Sequence, residues 1–508
     1  MTNPAHAMRI LITYVIIIPL AILVGYLLTD PLDYGTLGFF GIMIVILMSP
    51  ILIRWHYPLL VFSMGCPAIC FFLVGHPPLW QAMALLCFII ALVERTISSR
   101  RFMSVPLVTW PIIYIVVMAY MTAKLTGGIG LHQLGGDSGG GKKYLPIFLG
   151  AAAYFALTSR VIPKENRNLY IALWILAGAT QCIGELGAVL GGPFHFFNLF
   201  FPSNLNQIGA SVGATRLESL ASVFAGLNTY MLARFGLRGI FLSNKLWRPA
   251  VFVPMVTLSM LGGFRSFLIG ALAIYVILFI LEGLHRTRLM PLVLVAGLLL
   301  APTLGFYSEK LPITFQRAMS FLPFKWDPSV VADAEASTGW RESMWEALWP
   351  QVSEHLLLGK GHSLSSEDFQ MMGNGAFAGS IRNIDPAQQA LALSGDYHSG
   401  PLSTLIPFGI WGAIGILWLM AVSVFVLYRN CWYGDLEIKT LNNFMLASTI
   451  WSIFSFFFIF GAFEGAVADL TRAIGFSVAL NWGVCRPAPK PVPNLRIKPL
   501  PVPLPQPA

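Results

Sequence analysis

The run ILITYVIIIPLAILVGYLL, residues 10–28, contains no charged side chain and decides the class of the fold. As a helix it rises about 28 Å, close to the thickness of a bilayer's hydrocarbon core. No small-residue cleavage site follows it, so it is expected to stay as a first span rather than leave as a signal peptide. Apolar runs recur at about 34–53, 57–75, 79–94, 105–123, 145–162, 168–190, 213–233, 249–264, 266–284, 289–306, 401–428, 443–462 and 466–484. They predict about fourteen transmembrane helices, because a helix satisfies its own backbone inside lipid. Composition agrees: of 508 residues 56% are hydrophobic and 11% charged, about half the charge that a water-exposed surface carries. The expected class is an all-α polytopic membrane protein.

One polar interruption breaks this pattern, from Tyr307 to Gly400. Residues 1–306 therefore read as helices 1–11, 307–400 as one long, partly helical loop, 401–484 as helices 12–14, and 485–508 as a tail. The tail, RPAPKPVPNLRIKPLPVPLPQPA from Arg486, is proline-rich, extended and unable to pack a core. Basic residues collect in alternate turns: Arg9, Arg54, Arg95 with Arg100 and Arg101, Arg160 with Lys164 and Arg167, Arg238 with Arg248, Arg286 with Arg288, and Arg429 with Lys439. By the positive-inside rule those turns and both termini are expected in the cytoplasm, with the long loop on the outer face. The loop carries six Lys and Arg against eleven Asp and Glu, the opposite bias. The net charge of +9 is accordingly a record of topology, and nucleic acid is not an expected partner. The six cysteines lie in or beside apolar runs and imply neither a disulfide framework nor a metal site.

Candidate chemistry gathers at the outer face. Arg265, in LGGFRSFLIG, has only a tight Gly-rich turn around it and is expected at the outer membrane boundary, either as an interfacial anchor or as a functional charge. Within the loop, STGWRESMWEALWPQV spaces Trp340, Met344, Ala347 and Leu348 as a short amphipathic helix on the membrane surface, with Arg341 and Trp345 on an adjoining face. His398 stands where the chain re-enters the membrane, in GDYHSGPLS, with Asp396 two residues before it; imidazole is the side chain best matched to accept a proton near neutral pH. Arg216, followed by Glu218, is another arginine at an outward helix start, and Glu464, Asp469 and Arg472 read as an ion-paired group. Gly136 to Lys143, GDSGGGKK, nearly forms a phosphate-cradling loop, but Lys143 takes the place of the hydroxyl residue that binds magnesium, and a plain loop is expected. The remaining outward histidines, His76, His132, His195, His355 and His362, have no ligand spacing, so no metal is implied.

Taken in order, these features resemble the O-antigen ligase and polymerase family of bacterial envelope proteins. The resemblance rests on the arginine at an outward helix start, the Arg341 and Trp345 helix in the loop, Gly359 and Gly361 in LLLGKGHS, and the closing set His398, Ser399, Gly409 and Gly412; it is clear over residues 200–430. It implies a GT-C-like membrane glycosyltransferase that needs no cofactor or metal. Such an enzyme moves an undecaprenyl-diphosphate-linked glycan, with inversion, onto lipid A core as a ligase or onto a growing chain as a polymerase. Under it, Arg265, Arg341 and Arg216 would hold the donor diphosphate, His398 would be the base, and Trp345, Asp396, Gly359 and Gly361 would support them. A transporter or flippase is the competing class; it calls for ionisable residues at the bilayer midplane and for inverted repeats, and no repeat is visible.

Overall fold

The computed structural model describes residues 4–30, 33–73, 75–98, 102–103, 105–126, 141–203, 217–362, 395 and 397–487. In chain order its α-helices are α1 (Pro4–Leu27), α2 (Tyr34–Gly65), α3 (Leu79–Ser98), α4 (Pro106–Leu125), α5 (Leu145–Thr158), α6 (Arg167–Leu176), α7 (Cys182–Leu190) and α8 (Glu218–Phe241). There follow α9 (Trp247–Ser259), α10 (Arg265–Leu281), α11 (Leu289–Tyr307), α12 (Ile313–Met319), α13 (Pro328–His355), α14 (Gly400–Tyr433), α15 (Lys439–Phe458) and α16 (Phe463–Asn481). The chain is a multi-pass α-helical membrane protein. Among the described residues seven helices are long and apolar enough to cross a membrane, fewer than the fourteen expected.

The shortfall has local causes. Residues 34–53 and 57–75 were expected to be two spans, yet α2 runs unbroken through Pro50 and Pro58 and stops at Gly65. Pro67 sets that end, since the residue before a proline is pushed out of the helical region, and Cys66 is extended at φ −81°, ψ 125°. Arg54 thus lies inside a helix rather than in a turn, and the crossing that placed the N terminus in the cytoplasm is lost from the alternation. Helices α5 and α9, of 14 and 13 residues, are shorter than the roughly 20 a full crossing needs. The span expected over 168–190 is kept among the seven, as Lys164–Leu190, and is built of α6 and α7 joined by a 3-10 turn, Ala177–Gln181. Most of the glycine-rich loop 136–143 and the tail beyond 487 lie outside the described residues.

Lipid-embedded helices gain little from excluding water, so close approach of small residues has to hold them. Gly150 of α5 faces Ala468 and Thr471 of α16 so closely that a Cβ there would sit 3.0 Å from the Ala468 Cα, and Gly475 meets Leu157 and Tyr154 in the same seam. At the basic end of the bundle, buried Arg167 donates to Asp435 at 2.8 Å and to the Leu480 carbonyl at 3.1 Å, tying α6 to the α14–α15 turn and to α16.

Two further features position the polar segment. α13 is longer than the surface helix expected. It does not merely lie on the membrane: its buried face, Met344, Leu348 and Val352, packs on Tyr397, Leu402 and Ile406 where the chain re-enters the bundle. The second feature is a break in α14. Pro407 has no N–H to donate and Gly409 takes φ +61°, so the helical ladder is interrupted there. Residues 356–361 repair it: Lys360 and Gly361 donate their N–H groups to the Ile406 and Pro407 carbonyls at 2.7 and 3.0 Å, and Ile410 donates to the Leu356 carbonyl at 2.7 Å. Gly359 and Gly361 have φ +73° and +72°, and a Cβ on Gly359 would fall 2.2 Å from the Pro407 oxygen. Gly359→Ala is therefore expected to cost about 2–5 kcal/mol, from left-handed strain plus a backbone clash. A lower midpoint of thermal unfolding in detergent, with less folded protein recovered, is the measurement that checks it.

Candidate active site

The cationic side of the site begins at a reversal of the chain. α9 ends at Ser259, Gly263 turns the backbone at φ +67°, and α10 starts at Arg265. The side chain of Arg265 reaches over to α13, where its Nη2 donates to the Ala334 carbonyl at 3.3 Å. Ala334 and Arg341 stand seven residues apart, about two turns on one face of α13. The charged groups acting on Arg265 are Arg341, Arg317 and Asp333. Arg317 of α12 donates from Nε to Asp333 of α13 at 2.6 Å, so that Asp333 both links the two loop helices and keeps part of the positive charge in check.

The imidazole side is held from below and above. His398 sits at φ +47°, in the left-handed region that a side chain other than Gly, Asn or Asp seldom occupies. Trp345 of α13 donates from Nε1 to the Tyr397 carbonyl at 3.1 Å, pinning the peptide just before it. Just after it, Ser399 caps α14 by accepting from the Leu402 N–H, and Gly400 packs so tightly on α15 that a Cβ would come within 2.3 Å of the Phe456 oxygen. The imidazole meets the ring of Phe460 with centroids 5.0 Å apart.

Arg341 and His398 open onto one cavity of about 510 Å³, whose wall includes Glu218 of α8, Ser266 beside Arg265, and Trp451 and Ser455 of α15. A cavity of about 420 Å³ continues past His398 along Trp345 and Trp349. A third, of about 500 Å³, runs from Trp451, Ser455 and Phe460 towards Asp469 and Arg472. A narrow extension of about 130 Å³ passes Ser266, Phe267 and Trp451 into the apolar space between α8, α10 and α15. This arrangement offers forked cations for a di-anion, a nearby imidazole for a proton, and an apolar slot beside them.

Of the residues expected from sequence, the fold brings Arg265, Arg341, Trp345 and His398 together. Gly359 and Gly361 stand at the repaired break of α14 rather than in the cavity wall. Arg216 and Asp396 lie outside the described residues. Asp469 and Arg472 do form an ion pair, while Glu464 approaches Lys143 at 3.9 Å instead. His362 is a structural residue: burial and Lys143 push its imidazole down to about 3, so it is neutral at working pH, packed against Tyr144 and Phe408. Arg317, Asp333 and Trp451 were missed, and Glu218 was read only as the neighbour of Arg216; Arg317 stood in FQRAMS without a partner visible in the sequence.

Residues 250–417 match the family model described as O-antigen ligase, a segment that runs from α9 to just past the break in α14 and contains Arg265, Arg341 and His398. No curated protein and no solved structure matches the chain.

Proposed function

We propose, on the premise that residues 250–417 belong to the O-antigen ligase family, that this chain transfers a glycan from an undecaprenyl-diphosphate-linked donor to an acceptor sugar. The observation that carries the reading is the single cavity onto which Arg341 and His398 both open. Arg265 and Arg341 grip the donor diphosphate with guanidinium forks, which stay charged at every working pH. The acceptor hydroxyl attacks the anomeric carbon from the face opposite the diphosphate. A new glycosidic C–O bond forms, the C–O bond to phosphate breaks, and undecaprenyl diphosphate leaves with the electron pair. His398 takes the hydroxyl proton. Because negative charge grows on the leaving diphosphate, the arginines stabilise the transition state more than the bound donor. The isoprenoid chain runs down the apolar extension beside Phe267, which suits a donor whose reactive end lies at the membrane interface.

In this reading the 307–400 loop faces the periplasm at the inner membrane. Charge bias supports this: Arg160 with Arg167, Arg238 with Arg248, and Arg286 with Arg288 form basic clusters of the kind that mark the cytoplasmic side, whereas the loop is richer in Asp and Glu than in Lys and Arg. Ligase action on lipid A core is the leading form and polymerase action the alternative; the family premise covers both. A transporter is disfavoured by Arg341 and His398 sharing one cavity, with Arg265 beside Arg341, rather than being strung along a path.

The test is transfer by the full chain reconstituted in liposomes with lipid-linked glycan and either acceptor. Glycan on lipid A core identifies a ligase, longer lipid-linked chains a polymerase, and precursor moved across the bilayer without any new glycosidic bond overturns the enzyme reading. Trp345→Phe refines it: the ring stays, the donor to the Tyr397 carbonyl goes, and transfer falls about three- to tenfold at an unchanged yield of folded protein, the worth of one hydrogen bond.

A further inference from the structure

We propose that the cavity running from Ser455 to Asp469 is the acceptor-saccharide subsite, an inference that rests on the glycosyl-transfer reading and adds to it a place for the second substrate. The cavity, about 500 Å³, shares Trp451, Ser455 and Phe460 with the cavity of Arg341 and His398, so a sugar seated in it reaches His398 without crossing the diphosphate grip.

Its chemistry differs from that of its neighbour. Arg472 is the cation of this wall, and its guanidinium is already engaged: Nε donates to the Ala468 carbonyl at 3.1 Å, Nη1 to the Met64 carbonyl at 3.2 Å, Nη2 to Asp469, and its plane lies 4.5 Å from the Trp80 ring centre. Three of its five N–H donors and one ring face are thus committed to the protein, so it is first of all a support. Asp469, by contrast, is 69% exposed, so the group this wall presents is a carboxylate. A carboxylate repels a diphosphate and accepts from hydroxyl donors. On α15, Ser448, Ser452 and Ser455 follow at i, i+4 and i+7 along the same cavity, and Trp174 and Trp451 add ring faces. Carboxylate, hydroxyl row and flat rings suit a neutral saccharide, whose hydroxyls donate and accept and whose C–H face stacks on an aromatic plane.

The position in the chain points the same way. Asp469 and the serine row lie outside residues 250–417, whereas Arg265, Arg341 and His398 lie inside. The shared segment thus carries the bond-making groups, and the acceptor wall is added from α15 and α16.

The experiment is equilibrium binding to the full chain in nanodiscs, with His398→Ala present so that no transfer occurs. The probes are lipid A core oligosaccharide in one arm, a lipid-linked glycan in a second, and undecaprenyl diphosphate alone in a third. Asp469→Asn is expected to weaken whichever saccharide binds by about tenfold or more, the loss of a charge-assisted hydrogen bond, and to leave undecaprenyl diphosphate within about twofold. Ser452→Leu, which fills the cavity from the opposite wall without touching the Asp469–Arg472 pair, gives the same pattern. The inference is overturned if neither saccharide binds, if both variants bind saccharide like the parent, or if undecaprenyl diphosphate is the probe that is lost. Saccharide binding that depends on Asp469, in a chain that transfers no glycan before His398 is replaced, keeps the subsite and removes the transfer reading instead.

Discussion

Replacing His398 is expected to abolish most of the proposed transfer and to leave the donor bound: the rate should fall about 10²- to 10⁴-fold, the usual contribution of a positioned base, with donor affinity within about twofold. The choice of substitute matters because the backbone at this residue is left-handed, φ +47°. Alanine there bears the same left-handed strain as the histidine Cβ, and it removes the ring contact with Phe460 together with the base. Asparagine tolerates the left-handed region, so His398→Asn isolates the proton transfer. A pH profile separates base from scaffold. A base must be neutral to work, so the wild-type rate falls on acidification. The asparagine variant, measured at its residual rate, is flat over the same range. Equal slopes in the two proteins would remove His398 from the proton step and leave it a structural turn residue.

The sequence announced the helices because the bilayer imposes one requirement along their length, and hydropathy reports it. It failed where a boundary depends on a single residue. The run 57–75 looked like a span of its own, but Pro67 ends α2 at Gly65, while Pro50 and Pro58, which look like stronger breaks, are passed through. The candidate site residues were legible for a different reason. Arg265, Arg341 and His398 are polar groups at places where an apolar or a tightly turning chain has no structural need of them. What was not legible is mutual placement. Nothing in FQRAMS says that Arg317 will hold Asp333, sixteen residues later, beneath Arg265. Likewise, Gly359 and Gly361 could be matched to a family pattern, yet only the fold shows that Gly361, with Lys360 and Leu356, mends a broken helix. The serine row of α15 went unread because, at helical spacing inside an apolar run, three hydroxyls look like helix filler until the cavity on that face is seen.

Arg341→Ala is expected to lower transfer about 10²- to 10³-fold, the scale on which removing one preorganised donor to a developing charge acts. The informative variant is Arg341→Lys. It keeps the charge and the approximate reach, but an ammonium offers a point where the guanidinium offers a planar fork. If the site needed only positive charge, lysine would restore nearly all of the activity. The geometry predicts otherwise. Arg265 already spends one donor on the Ala334 carbonyl, so the matching of phosphate oxygens falls on Arg341. Arg341→Lys should therefore recover donor affinity to within about threefold but leave the rate at least tenfold low, because the missing contacts are those that tighten as charge builds on the leaving diphosphate. Combining Arg341→Ala with Arg265→Ala should cost less than the product of the single losses, since both serve one anion and the second removal finds the grip already open. Losses that multiply would mean that the two arginines act on different groups, and the diphosphate would then have to be placed by one of them alone.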